Sequence, residues 1–310
     1  MSAAPKTSPT QKLSAAQKSA LASRGFLFGV LGVAIFAVSV PATKLATAVP
    51  GFDGLDPVFI AIGRAAVAGV LSIAYLAYVR APVPSRAQAL RLLVAGLGIV
   101  IGFPLFSGLA VRHVDAIHVA VIIGALPLAT ATGAALVMRE RATPAFWALA
   151  VLGFLLVLAY AWLSSAPGAV AGISPADGFA LLAVVSAASG YILGARLSRE
   201  MAPEHVISWI LVLYLPLTLA VGFWTFPQGK VAPSAWAGFA YVSVFSMWLG
   251  FFAWYRGLAS DPMRVSQAQL LQPFLSMLVA VPLLGERLTP LSVLFCLAIV
   301  ATVALSRRVR

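Results

Sequence analysis

Residues 115–144 read DAIHVAVIIGALPLATATGAALVMRERATP, and residues 261–290 read DPMRVSQAQLLQPFLSMLVAVPLLGERLTP. Superposed at an offset of 146, they match Asp115 with Asp261, Pro127 with Pro273, Glu140-Arg141 with Glu286-Arg287, and Pro144 with Pro290. Just upstream, Phe106 matches Phe252. Most of the intervening positions are apolar in both copies. One such coincidence is easy; six at a single offset indicate a duplicated chain. The halves meet at Ser164-Ser165-Ala166-Pro167-Gly168, a run of turn formers. This divides the chain into a polar tail (1–24), a first repeat (25–165) and a second repeat (166–310) with a basic end.

Each half is too apolar to face water. Of 310 residues, 61% are hydrophobic and only 10% charged, and mean hydropathy is +0.99. A soluble domain carries roughly 25% charged residues. Crossing a bilayer takes about 20 apolar residues, and ten segments qualify: 26–48, 57–79, 91–110, 117–138, 145–163, 178–197, 206–226, 234–256, 264–284 and 290–306. The fold class expected is therefore an all-α membrane protein of ten transmembrane helices, five per repeat. The connections are too short to hold a soluble catalytic domain. The tail, with Lys6, Lys12, Lys18 and Arg24 among Ser, Thr and Gln, lacks apolar periodicity and reads as a disordered cytoplasmic segment.

The net charge of +12 is spread over loops and chain ends rather than along one stripe, so no nucleic-acid partner is expected. With the N-terminus inside, 16 of the 21 Lys and Arg residues fall on the inner side. Lys44, Arg112, Lys230 and Arg287 fall outside, and Arg64 lies within a span. The positive-inside bias predicts both termini in the cytoplasm and a multi-pass protein of the cell inner membrane. Because five is odd, the second repeat enters the membrane upside down relative to the first. Inverted repeats are a recurring transporter architecture, with a midplane site and alternating access.

These residues also carry a family likeness. The chain resembles the drug/metabolite transporter superfamily in its ten-span EamA-repeat form, over nearly all of 26–306. The likeness rests on the Pro-containing fourth and ninth spans followed by Arg139-Glu140-Arg141 and Gly285-Glu286-Arg287. It rests also on Ser39-Val40-Pro41-Ala42-Thr43-Lys44 closing the first span and on Arg64-Ala65-Ala66 in the second. The resemblance implies a bacterial inner-membrane carrier, often an exporter of amino acids or related metabolites, with YddG-like amino-acid exporters as one branch.

All nine acidic residues fall in loops or first turns of spans. That leaves no intramembrane carboxylate to drive a proton antiporter, and facilitated exchange is the simpler mechanism. Asp115, Asp177 and Asp261 read as helix caps. Arg64 lies about seven residues inside its helix, roughly 10 Å deep at 1.5 Å per residue. It reads either as a partner for a substrate carboxylate or as a structural group for backbone carbonyls. Lys44 reads as a snorkelling side chain near the end of the first span. Polar and aromatic residues inside spans supply the candidate substrate-binding set: Ser39, Ser189, Tyr191, Gln269 and Gln272 for a polar end, and Phe106, Trp248 and Phe252 for an apolar side chain. Pro41, Pro127 and Pro273 break helices and are candidate gating positions.

No catalytic set, metal site or cofactor is expected. His113 and His118 are badly spaced for one metal, and the single cysteine, Cys296, reads as a packing residue. The function expected is a secondary transporter, working as a monomer, that exports small metabolites such as amino acids from a site between the repeats. The alternative is an exporter of nucleobases or toxic aromatic cations.

Overall fold

A computed structural model describes residues 15–47, 53–138, 143–164, 174–260 and 268–309. The described residues form ten helical columns and no named strand. We number them α1 (Ala15–Ala46), α2 (Pro57–Tyr78), α3 (Arg86–His113), α4 (Ala116–Ile123 and Leu126–Met138), α5 (Pro144–Leu163), α6 (Pro175–Leu197) and α7 (Pro203–Trp224). Then follow α8 (Pro233–Ala240, Tyr241–Leu249 and Gly250–Ser260), α9 (Gln269–Leu271 and Gln272–Leu284) and α10 (Pro290–Arg308). Seven are long and apolar enough to span a bilayer, and α4, α9 and α10 supply the shorter apolar helices.

Local chemistry explains where the helices start. Proline opens α2, α5, α6, α7, α8 and α10, at the position where its missing N–H is not needed. Thr143 and Thr289, 146 residues apart, cap α5 and α10 through their hydroxyls, at 3.2 and 3.1 Å. Asp56 accepts from the Val58 N–H at 2.7 Å, and Gly285, in the left-handed region at φ 69°, closes α9. One expectation is corrected. Helix α1 begins at Ala15, ten residues inside the segment read as a disordered tail, because Ala15, Ala16, Gln17, Lys18, Ala20 and Leu21 are good helix formers that extend an existing helix without a new nucleus.

Packing joins the halves rather than keeping them apart. Helix α1 lies along α8 and α9, and α6 lies along α3 and α4. Meanwhile α2 pairs with α7, α4 with α9 and α5 with α10. Exchanging each helix for its counterpart five later maps this pattern onto itself, as contacts across a two-fold axis do. The repeats run in opposite senses: α4 begins at the end of the bundle where α9 terminates, since the carboxylate of Glu286 accepts from Ala116 N–H at 2.7 Å and Ile117 N–H at 2.8 Å. The protein is thus two inverted five-helix repeats. Large apolar side chains such as Val151, Phe154, Leu155, Leu294 and Leu297 remain exposed on α5 and α10, as a lipid-facing surface requires.

Proline also shapes the interior of α1. Pro41 cannot donate to the carbonyl of Ala37 one turn back. Ser276 of α9 donates to that carbonyl instead, at 2.6 Å. Ser276→Ala should therefore strand a buried acceptor and destabilise the fold by about 1–3 kcal/mol. In a Pro41→Ala background the restored N–H can serve Ala37, so the cost of Ser276→Ala should shrink. A double-mutant cycle on thermal unfolding in detergent measures this, and equal costs in both backgrounds would refute it.

Candidate functional site

Four helices lose regular α geometry, and they do so at matching places in the two halves. Leu97–Gly102 in α3 and Tyr241–Leu249 in α8 are wound as π-helix; at the offset of 146 the first segment falls inside the second. Helix α4 breaks between Ile123 and Leu126, and in α9 a 3₁₀ turn at Gln269–Leu271 precedes the α-helix that runs from Gln272, again in register. The breaks lie just before Pro127 and Pro273, which cannot donate to the carbonyls of Ile123 and Gln269. They also meet in space: a Cβ placed on Gly124 would lie 3.5 Å from Pro273. Wide turns and interrupted helices at membrane depth are tolerated only where protein or a cavity re-satisfies the backbone.

Two connected niches lie between these breaks. One is lined by Val40, Ala120, Ile123, Leu126, Pro127, Gln269, Gln272, Pro273 and Ser276. The other is lined by Phe36, Ser39, Arg64, Ile99, Phe103, Tyr191, Ser246, Phe251 and Gln272 among others. Gln272 borders both. The free room is close to that of a water molecule, so helices must part to admit a metabolite.

Arg64 is the centre of the second niche. It is 2% exposed, and its Nη2 donates to Ser246 Oγ at 2.9 Å. Ser39 also donates to Ser246 Oγ, at 2.7 Å. Three elements therefore converge on one hydroxyl: α1 through Ser39, α2 through Arg64 and the π segment of α8 through Ser246. The Arg64 Nε, the Gln269 Nε2 and the Gln272 Oε1 are buried without a hydrogen-bond partner. Such groups are costly in a dry interior and mark a place where a ligand or water belongs.

Of the binding residues expected from sequence, Ser39, Tyr191, Gln269 and Gln272 come together here. Phe106, Ser189, Trp248 and Phe252 do not. Phe106 stacks on Phe179 with centroids 6.4 Å apart. Trp248 and Phe252 pack with Tyr75, toward the end of the bundle that carries Arg256. Ser189 is exposed, and its hydroxyl donates to the Ser186 carbonyl at 2.8 Å. Helical phase turns these four away from Arg64. Phe36, Phe103 and Phe251 supply the apolar lining instead. Ser246 is the polar contact that sequence did not single out; its neighbour Ser243 looks equivalent in one dimension but bonds back to Phe239.

The polar ends of the bundle are tied separately. At one end Lys44 donates to the Val114 carbonyl at 2.8 Å rather than snorkelling. Asp115 occupies the cap position of α4 but makes no side-chain cap bond, because Glu286 from across the repeat interface takes those N–H groups. Asp177 joins a capping box with Ser174 and binds His118 at 2.6 Å, and Ser164 sits 3.1 Å from the other nitrogen of that ring. This row has the members of a hydrolase triad. However, Ser164 donates to the Tyr160 carbonyl at 2.5 Å, so its one proton is committed and His118 has none to take from it. At the opposite end Arg91 pairs with Glu200, and Arg256 with Glu204. Glu140 and Asp261 lie outside the described residues.

The comparisons agree with this architecture. The profile of the EamA-like transporter family matches residues 23–162 and 174–308, one copy per repeat. A protein of Bacillus subtilis (strain 168) described as "Uncharacterized transporter YdeK" is 41% identical over 290 residues, covering 92% of this chain and 98% of that protein. A solved crystal structure shares the fold, with a TM-score of 0.61 at 18% identity over 91% of this chain and 98% of the other. The chain is accordingly a multi-pass membrane transporter rather than an enzyme, and it belongs to the EamA-like transporter family.

Proposed function

We propose that the protein exports small amino-acid-like metabolites by alternating access, through a central site between the repeats. The observation that carries this is the meeting of two interrupted helices, at Pro127 and Pro273, beside the buried polar ends of Gln269 and Gln272. Interrupted helices at a repeat interface expose backbone and side-chain polar groups at membrane depth, which is where carriers hold their cargo. Phe36, Phe103 and Phe251 form an apolar wall beside that polar pocket, which suits a molecule with one polar end and one apolar end. The two-fold-related packing lets the halves rock about the site. We place the chain in the cell inner membrane with both termini cytoplasmic, on the distribution of its Lys and Arg, and read it as working as a monomer.

Counterflow in proteoliposomes tests this, with labelled amino acids competed by nucleosides and quaternary amines. Competition by unlabelled amino acids is expected. Competition by amines alone would overturn the choice of cargo. Gln272→Leu should slow counterflow about tenfold or more, as loss of a buried polar contact does, with membrane insertion unchanged. Normal kinetics would remove Gln272 from the site.

A further inference from the structure

We propose that Arg64 is the carboxylate ligand of the central site, and that the site takes small organic monocarboxylates as a class, for which an α-ammonium group is dispensable. This rests on the central-site reading and specifies its chemistry.

The first argument is charge. Arg64 is buried at 2% exposure, and among the described residues no carboxylate forms an ion pair with it. The position matching Arg64 in the second repeat is Ile210, so the duplication doubles the shape of the site but not its charge. A buried guanidinium left unpaired is strongly unfavourable, and a carboxylate presented to its planar fork relieves that with two parallel hydrogen bonds.

The second argument is the donor and acceptor inventory. Ser246 Oγ accepts from both Ser39 and Arg64, which leaves its own proton to donate. The unpartnered groups are donors at Arg64 Nε and Gln269 Nε2, with one neutral acceptor at Gln272 Oε1. A cation entering this niche would meet the rings of Phe36, Phe103 and Phe251, but also the Arg64 guanidinium, with no ion-paired carboxylate among the described residues to offset the repulsion. The site offers donors to an anion and a single amide oxygen, which a hydroxyl or an ammonium N–H satisfies equally well. The ammonium of an amino acid is thus accepted without being selected.

The test uses the full chain in proteoliposomes, with labelled phenylalanine in counterflow against phenylalanine, phenylpyruvate, phenylalanine amide and phenethylamine. Thermal stabilisation in detergent by the same four compounds is the second readout. Phenylalanine and phenylpyruvate should compete within about fivefold of one another. The amide and the amine should be at least about thirtyfold weaker, the scale of one charge-assisted pair. Arg64→Lys should keep the preference for acids at lower affinity, and Arg64→Gln should abolish it. Gln272→Glu, which places a carboxylate beside the guanidinium, should weaken acids and admit the amine; this variant keeps the proposal open to refutation if Arg64→Gln fails to fold. Equal potency of acid and amide on the wild type would overturn the assignment of Arg64 while leaving the central site standing. So would an acid preference that survives in Arg64→Gln. If none of the four compounds is moved and none stabilises the protein, the central-site reading falls and this proposal with it.

Discussion

Gly98→Ala is expected to disrupt the contact between α3 and α6 and with it the site. A Cβ on Gly98 would lie 2.2 Å from the carbonyl oxygen of Ser186, 2.8 Å from Ser189 Oγ and 3.1 Å from the Gly190 N–H nitrogen. Two of these three neighbours are backbone, so no rotamer change can relieve the clash. The helices must separate. Gly98 sits inside the π segment of α3, and Ile99 and Phe103 line the niche opposite Tyr191 of α6, so the separation would move the walls around Arg64. The loss should reach about 3 kcal/mol, the upper end of the overpacking range. Thermal unfolding in detergent is the measurement, with Gly178→Ala as control. A Cβ on Gly178 meets nothing within 4 Å, and alanine favours a helix. A Gly98→Ala protein that melts with the wild type would show that α3 and α6 do not pack as closely as described.

Removing Glu286 should have a comparable effect at one end of the bundle. Its carboxylate is the cap of α4, supplied from the other repeat, and Glu286→Ala leaves Ala116 and Ile117 N–H without their partner. Two hydrogen bonds to a charged acceptor at a helix N-terminus make the expected loss about 2–4 kcal/mol. Asp115, one residue before the helix, lies close enough to take over part of the capping, which would bring the loss toward the lower figure. The contribution also depends on pH. Burial raises the pKa of Glu286 above the ordinary glutamate value; the N–H groups of Ile117 and Ala116 and the charge of Lys44 oppose this, while Asp115 adds to it. The folded state therefore binds this proton more tightly than the unfolded chain. Stability from this group is greatest below the ordinary glutamate pKa and declines as pH rises from there through the raised value. Glu286→Gln should remove that decline, and hydrogen exchange at Ala116 and Ile117 should report the loosened cap. A pH profile unchanged in Glu286→Gln would contradict the assignment.

The residues differ in how far one dimension reveals them. The offset of 146 is visible in Pro127 and Pro273, and it carries through to helix starts, caps and breaks, because proline and threonine act on backbone within one turn of themselves. The inverted arrangement follows from an odd number of spans. Gln269 and Gln272 were identifiable because amide groups in an apolar span must face protein. Ser189 escapes that demand and points elsewhere, because its hydroxyl is satisfied by the carbonyl three residues back. The π segments were invisible. An i→i+5 turn is rare and has no residue signature of its own here, so the packing around it rather than the local sequence decides where it forms.

Composition, proline spacing and charge distribution were enough to establish a duplicated ten-helix bundle, since burial of apolar surface in lipid and the backbone demands of proline are local or additive properties. The contacts of Arg64, Ser246 and Glu286 came only with the assembled helices. A hydrogen bond forms over about 3 Å, and which of several polar side chains, up to 207 residues apart in sequence, reach that distance depends on helix phase and crossing geometry that no single segment encodes.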